Sequence, residues 1–345
     1  MYHWEIHEPA ALPEHLSCWR ELHARYDASP LLHPDFLEAA LSAFGNGRQK
    51  LAVCRVAGSA VAAAVLEQPD PIRYATFQPS QGPIGYWLQD PSASTSELLV
   101  SLTRQMRPWI LSTAITQQDP DLLKRPNDTS SIATTDYIDT ARVAVSVPWD
   151  DYWKQRGANL RHNMKRAKSR LKSANLEALL HVVTSPSEMA EAVRTYGDIE
   201  SRSWKAEHGT AVSIGNAQGA FYADMLSRFA LSGRARCYQL LIGDRVAATD
   251  LCILGSDQII ILKTTFDSEF KDYSPAFLMR ELAFERLFAE GWCRKIEFYG
   301  RLMDWHLRWT DNVRRMYHVT HFRYPGTLQI WRRLRAQREG STQPA

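Results

Sequence analysis

Residues 239–254 read QLLIGDRVAATDLCIL, two apolar runs of β-favouring residues that meet at Gly243. Residues 51–66, LAVCRVAGSAVAAAVL, are built the same way around Gly58. Setting Gly58 on Gly243 brings Gly-x-x-Val-Ala-Ala into coincidence in both stretches. Two such runs joined at a Gly-containing turn are the signature of a β-hairpin, because Gly reaches positive φ without steric cost. The surroundings repeat as well. A further β-type run follows each hairpin, Thr76-Phe77 in the first copy and IIILKTTF at 259–266 in the second, and each is followed by a helical pattern, at 95–106 and 275–290. In the later helix Phe277, Leu278, Leu282, Phe284, Leu287 and Phe288 mark an apolar stripe and Gly291 is the stop. The same order of elements twice predicts a duplicated unit. The expected fold is α/β with mixed α+β sheets, in two tandem halves.

At 345 residues the chain exceeds the size at which one core usually stops growing, which also favours two domains of roughly 150 residues. With 45% hydrophobic and 23% charged residues the composition is that of a globular protein. No stretch approaches the roughly 20 apolar residues needed to span a bilayer, and the start MYHWEIHEPA lacks a basic-then-apolar leader, so a cytoplasmic chain is expected. The five cysteines, Cys18, Cys54, Cys237, Cys252 and Cys293, are odd in number and never in a CxxC pair, which supports neither a disulfide framework nor a zinc site. His318 and His321 stand three apart in a β-type run and would face opposite ways. No metal is expected.

The turn-rich stretch 120–131 and Pro148 set the expected domains as 1–147 and 148–335, with a disordered tail at 336–345. Residues 149–174 read as one helix with Leu160, Met164, Ala167 and Leu171 as its apolar stripe. Between Lys154 and Lys172 it carries eight Lys or Arg and no acid, a face that suits tRNA, a phosphate-rich cofactor or an anionic surface, and equally a solvated helix. The basic amphipathic segment 329–338 is a candidate membrane-surface contact.

Chemistry is expected between 200 and 310. Lys271-Asp272-Tyr273-Ser274-Pro275 lies between the β run and the helix, with Ser274 as N-cap and Pro275 as first helical residue, so the free N–H groups of the helix start face the loop and suit an anion. Neither GxGxxG nor GxxxxGK[ST] occurs, so a dinucleotide fold or P-loop lacks support. After the short run KIEFY at 295–299, Gly300 opens a loop to Asp304-Trp305-His306-Leu307-Arg308-Trp309, placing titratable and aromatic groups just past a strand end. Asp250 interrupts an apolar strand and needs a partner, for which Lys263 is the candidate, or a task.

Four of these motifs carry a resemblance. From Trp149 to about Tyr324 the chain resembles the GNAT-related family of CelD/BcsL-type cellulose-biosynthesis acetyltransferases, also called BioF2-like, and their FemAB relatives. The shared features are the basic helix Asn159-Leu160-Arg161-His162-Asn163-Met164-Lys165-Arg166, Glu200-Ser201-Arg202-Ser203-Trp204, the loop Tyr273-Ser274-Pro275-Ala276, and Gly300 with Trp305-His306-Leu307-Arg308-Trp309. Ala276 replaces the family's Gly, Trp305 its Tyr and His306 its Lys. The resemblance implies a GNAT-like fold; with the repeat it makes the chain two GNAT-like halves, and the first, which offers no convincing catalytic set, is expected to be a degenerate copy. It also implies direct attack of an amine on a thioester without a covalent enzyme intermediate. No GxSxG elbow speaks against that.

The protein must then supply positioning, an oxyanion donor and a route for the amine proton. Backbone N–H groups of Leu262, Lys263 and Thr264 are the expected oxyanion donors, with Lys271, Ser274 and Ala276 at the donor's phosphates. Asp250, His306 and Asp304 are the candidate bases, and Tyr273 the candidate acid for the leaving thiolate. Glu200 and Trp204, at i and i+4 of one helix, are expected with Trp305 and Arg308 at the acceptor. The leading reading is acyl transfer, acetyl first, from acyl-CoA to an amine on a sugar, amino acid or small metabolite in cell-envelope or exopolysaccharide synthesis. Two others compete: FemAB-like transfer from an aminoacyl-tRNA docked on 154–172, and a non-catalytic binding protein in polysaccharide assembly.

Overall fold

The computed structural model describes residues 2–8, 12–26, 28–202, 212–213 and 215–340. The chain runs β1 (His3–His7), α1 (Leu12–Arg25), α2 (Pro34–Phe44), β2 (Lys50–Val56), β3 (Ser59–Asp70), β4 (Arg73–Thr76), β5 (Trp87–Gln89), α3 (Thr95–Gln105), β6 (Ser112–Gln118) and β7 (Ile132–Ala144). It continues through α4 (Trp149–Gln155), α5 (Ala158–Ser173), β8 (Ala178–Val183), α6 (Met189–Ser201), α7 (Ala217–Leu231), β9 (Ala235–Ile242), β10 (Arg245–Leu254), β11 (Gln258–Phe266), α8 (Pro275–Glu290), β12 (Lys295–Glu297), α9 (Asp304–Leu307), β13 (Val313–Phe322) and α10 (Pro325–Gly340).

Two compact units result. One comprises residues 1–37, 45–138 and 315–345, the other 38–44 and 139–314. The sequence reading drew the line at 147/148 and gave everything from there to 335 to the second half. The difference lies in two strands: the end of β7 pairs antiparallel with β12, and the end of β13 pairs antiparallel with β6. Nothing in the local pattern of a strand names its neighbour. The tail expected from 336 is helical as far as Gly340, and 341–345 lie outside the described residues.

Each unit follows one plan: a strand, two helices, a three-stranded antiparallel meander, a helix, then a strand parallel to the last of the meander. In the first these are β1, α1 and the start of α2, whose residues 38–44 count with the other unit, then β2 to β4, α3 and β6; β4 lies parallel to β6 over Arg73–Ala75. In the second they are β8, α6 and α7, β9 to β11, α8 and β12; β11 lies parallel to β12 over Gln258–Ile260. Gly58 and Gly243 sit in the hairpin turns with φ of +84° and +63°. The motif that exposed the repeat is nevertheless one residue out of structural step. The bulge of the first hairpin falls at Val61, opposite the step from Cys54 to Arg55, whereas in the second it falls at Ala247.

In both units the last two parallel strands pair briefly and then part. The first unit fills the gap. Thr76 Oγ1 and Thr116 Oγ1 hydrogen-bond at 2.7 Å, and the backbone of Gly85 packs against the pair, its N–H donating to the Thr116 carbonyl at 3.1 Å. A Cβ on Gly85 would stand 2.6 Å from Thr116 Oγ1 and 2.7 Å from its carbonyl oxygen and would collide with Thr76 Oγ1. Gly85→Ala should therefore lower the melting temperature, by the several degrees that an overpacking cost of about 1–3 kcal/mol brings. Thermal unfolding of the variant checks this; an unchanged midpoint would mean the plug is soft.

In the second unit side chains alternate between two layers. Cys237 Sγ touches Met189 Sδ of α6 at 3.7 Å, while its neighbour Tyr238 joins the core formed with Leu278, Met279, Phe284 and Leu287 of α8 and Leu160, Met164, Ala167 and Leu171 of α5. The stripe predicted for α5 is the one buried. Residues 149–174 are two helices, however, broken at Arg156-Gly157, where Arg156 Nη1 turns away to the Trp309 carbonyl at 2.6 Å. Helix α8 has the expected bounds and ends at Gly291, φ +75°. Its buried face is wide enough to include Arg280 and Glu281.

Candidate functional site

Past Ile260 and Glu297, β11 and β12 no longer pair, and a cavity of about 650 Å³ opens between the end of β11 and the segment after β12. One wall is 261–266. The other is Phe298, Gly300, Arg301, Met303, Trp305 and His306, and the first turns of α8 add Ala276, Phe277 and Arg280. The proposed donor strand and the Trp305 segment thus share one cavity, as do Leu262, Lys263, Thr264, Ala276, Trp305 and His306 from the expected site.

A bulge shapes the strand wall. Leu251 pairs with Lys263 and Cys252 with Ile261, so Leu262 has no partner in the β10 register. The extra residue lets both Ile261 and Thr264 face α8: Ile261 joins its core, and Arg280 Nη2 donates to Thr264 Oγ1 at 2.5 Å. Lys263 points the other way, its ammonium 5.8 Å from the ring centre of Tyr222 on α7. With regular alternation Lys263 would have met the buried Arg280, so the bulge keeps two like charges apart.

Asp250 lies behind this wall, 2% exposed, on the α8 face. Its partner is Arg280, not Lys263. Nη2 is 3.6 Å from Asp250 Oδ1, both side chains are 3% exposed, and the Thr264 hydroxyl stands between them. Burial pushes the Asp250 carboxyl above the ordinary carboxylate range, against the pull of Arg280 and Thr264. Arg280 also lies over the face of Trp305, 4.2 Å from its ring centre. Sequence reasoning missed Arg280, although a signal was present: it falls between Phe277 and Phe284 on the buried stripe of its helix, where a lone cation demands a partner.

His306 is 4% exposed, stacked on Trp305 at 3.6 Å and edge-on to Phe298 at 4.9 Å. Its Nδ1 accepts the Met303 N–H at 2.9 Å, which leaves the proton of the neutral ring on Nε2. Burial, helped by the charge of Arg280, pushes the imidazole down to about 4. Protonated contact with a donor, or base action near neutral pH, therefore does not suit it. A group with a depressed folded pKa binds its proton later than the unfolded chain does, so stability falls as pH drops from about 6.5 toward 4. His321, also pushed down to about 4, adds to the same trend. We expect nitrogen-detected NMR to find His306 as the Nε2–H tautomer down to pH 5; a half-protonated ring at pH 6.5 would contradict the geometry.

The remaining predicted residues lie elsewhere. Asp304 is exposed and lines no part of the cavity. Tyr273 packs at the edge of the core, and Lys271 is exposed on the turn before α8. Ser274 is the N-cap residue and Pro275 the first helical one, as expected, but Ser274 takes a left-handed conformation, φ +52°, and makes no side-chain cap bond. Its carbonyl accepts the Phe277 and Leu278 N–H groups and so starts the helix. Arg308 lies against Phe277 and opens onto a separate polar hollow beside Arg156 and Asn159. Glu200, fully buried, accepts the Val212 N–H at 2.7 Å and lies 2.9 Å from the Tyr196 hydroxyl, which also reaches the Thr264 carbonyl at 3.2 Å. That carboxylate ties α6 to the following chain and to β11, and does not reach the cavity. Trp204 lies outside the described residues.

On the basic helix, Arg170 caps the Asp272 carbonyl at 2.7 Å and Lys168 pairs with Glu281 at 2.9 Å. Lys165, Arg166 and Lys172 are exposed. All five cysteines are free and buried. Among the described residues no helix is long and apolar enough to cross a membrane, and no group of His, Cys, Asp and Glu is placed to hold a metal.

Residues 158–307 match the family model of the acetyltransferase (GNAT) domain, which takes in α5 through α9 and the whole cavity apart from its setting. The second half thus carries an acyltransferase domain, and the chain is an enzyme of that class. No curated protein matches it in sequence. Among solved structures, the C-terminal domain named for a lysylphosphatidylglycerol synthetase from Agrobacterium fabrum has a TM-score of 0.57 at 12% identity, over 89% of this chain and 92% of that one. FemX gives 0.57 at 10%, over 90% and 97%. A conserved protein of unknown function from Bacteroides thetaiotaomicron gives 0.52 at 11%, over 93% and 100%. At such identities the likeness is one of fold, and it extends over both halves.

Proposed function

We propose that this protein transfers an acyl group, acetyl in the first instance, from acyl-CoA to an amine, with the reaction centred between β11 and the Trp305 segment. The observation that carries the reading is the parting of β11 from β12 at a bulged strand, which gives the thioester a slot and an unpaired stretch of backbone to lie against. The matched acetyltransferase domain supports the donor class.

In this reading the amine nitrogen attacks the thioester carbonyl, the C–S bond breaks, and the thiolate takes up the proton the amine gives off. The backbone at Leu262 polarises the carbonyl. Among the described residues four cations, Arg202, Lys263, Arg280 and Arg301, line the cavity and no carboxylate does, so in this reading the amine enters as its free base and no described side chain there withdraws its proton at neutral pH. The rate should then rise with pH along the titration of the acceptor. The resemblance to cellulose-biosynthesis acetyltransferases makes an amine of an envelope or exopolysaccharide precursor the first acceptor to try.

A second reading, transfer from an aminoacyl-tRNA, draws on the exposed Lys165, Arg166 and Lys172. Thermal unfolding with acetyl-CoA, longer acyl-CoAs and charged tRNA separates the two, since a true donor stabilises the native state by mass action. We expect protection by acyl-CoA that survives Lys165→Glu, Arg166→Glu and Lys172→Glu together. Protection by charged tRNA alone, lost in that variant and falling steeply with salt, would transfer the assignment. Protection by none would favour the non-catalytic binding protein.

A further inference from the structure

Arg280 is unusual for a buried guanidinium. It has five N–H donors, of which one reaches Thr264 Oγ1; Nε makes no hydrogen bond among the described residues, and Asp250 Oδ1 makes none either, meeting Arg280 only as an ion pair. At 3.6 Å the Asp250 contact is no two-bonded fork. Leaving such a group dry and under-bonded costs more than a single ion pair returns. Yet the side chain is held firmly, by the Trp305 face on one side and Thr264 on the other, and it forms part of the cavity wall. Around it the lining is apolar and aromatic, with Leu262, Phe277, Phe298, Met303 and Trp305. A cation fixed in a hollow that is apolar around it and holds no carboxylate among its described residues is the complement of a planar anion on an apolar body.

We propose that Arg280 is the specificity-determining residue of this cavity and takes a carboxylate of the substrate, the acceptor being an amino acid or related amino-carboxylate with an apolar side chain. The inference rests on the acyl-transfer reading for which substrate carries the group, but not for the binding itself. Asp250 lies behind the guanidinium and repels the incoming carboxylate. Arg301, which also lines the cavity, adds a further positive charge that offsets it. Trp305 supports the guanidinium, 4.2 Å from its ring centre, at the cavity wall.

The test uses the full chain and paired probes that differ only in the carboxylate. N-acetyl derivatives of Phe, Leu, Ala and Glu, each with its carboxamide, are compared for thermal protection; free amino acids against their amides, and succinyl-CoA against butyryl-CoA, are compared for turnover. We expect at least one acid to be favoured over its amide by thirtyfold or more, the effect of one desolvated charge contact. The double variant Asp250→Asn with Arg280→Gln, which removes both charges together, should bring that ratio close to one whatever its absolute rate. A preference found in succinyl-CoA alone would move the carboxylate to the donor and overturn the acceptor assignment. No preference in the native chain, or one that survives in the double variant, would overturn the role of Arg280. Acid-selective protection without turnover leaves Arg280 its role and removes the acyl-transfer reading, whereas turnover blind to the carboxylate does the reverse.

Discussion

Arg280→Met will destabilise the native state by about 3–5 kcal/mol, because it strands the Asp250 carboxylate in the core without its counter-charge. For a unit of this size that is roughly a 10 °C fall in the unfolding midpoint. The sign of the pH dependence identifies the cause. Burial already raises the Asp250 pKa, and losing the Arg280 charge raises it further. A carboxyl whose folded pKa lies above its unfolded value binds its proton more readily in the native state, so stability declines as pH rises from the unfolded pKa to the folded one. The deficit should therefore be smaller at pH 5 than at pH 8. Adding Asp250→Asn should recover most of it at both. A deficit equal at the two pH values, or undiminished in the double variant, would show that lost packing against Trp305 dominates instead.

Deleting Leu262 should separate fold from activity. The residue is the extra one in β11, and Ile261 and Thr264 keep their faces when it is removed, because regular alternation then places 261 and 264 on the α8 side and 263 on the other. The ladder to β10 becomes continuous, so stability should change by no more than about 1 kcal/mol. The added twist of the bulge and its unpaired backbone are lost together, and with them the slot for the thioester. We expect turnover to fall by a factor of about 10² to 10³, the usual effect of removing one oxyanion donor. Single-turnover rates with acetyl-CoA, alongside thermal unfolding, read both quantities. Undiminished turnover in a well-folded deletion would take the bulge out of the chemistry.

The helix 275–290, its stop at Gly291 and the buried stripe of α5 are legible because periodicity and end signals are local. So is the duplication, since two hairpins with Gly turns repeat a local pattern even though their Val-Ala-Ala motifs are one residue out of step. The break at Gly157 was also on view in the sequence, but the continuous apolar stripe outweighed one glycine. Of the residues that line the cavity, the strand 262–264 was reached through the resemblance and the Trp305-His306 pair through its position past a strand end and the same resemblance. Glu200, Tyr273, Asp304 and Arg308 were placed there by motif and spacing, and their surroundings hold them outside the cavity.

By itself, then, the amino-acid order determined the α/β class, the double plan and the half in which the cavity lies, because hydrophobic spacing and turn chemistry are properties of neighbours along the chain. Tertiary structure decided which copy keeps its gap open, through the packing of Gly85 against Thr76 and Thr116, and which cation answers Asp250. Both depend on residues tens of positions apart meeting in a dry interior, where one missing Cβ or one unpaired charge outweighs any local preference.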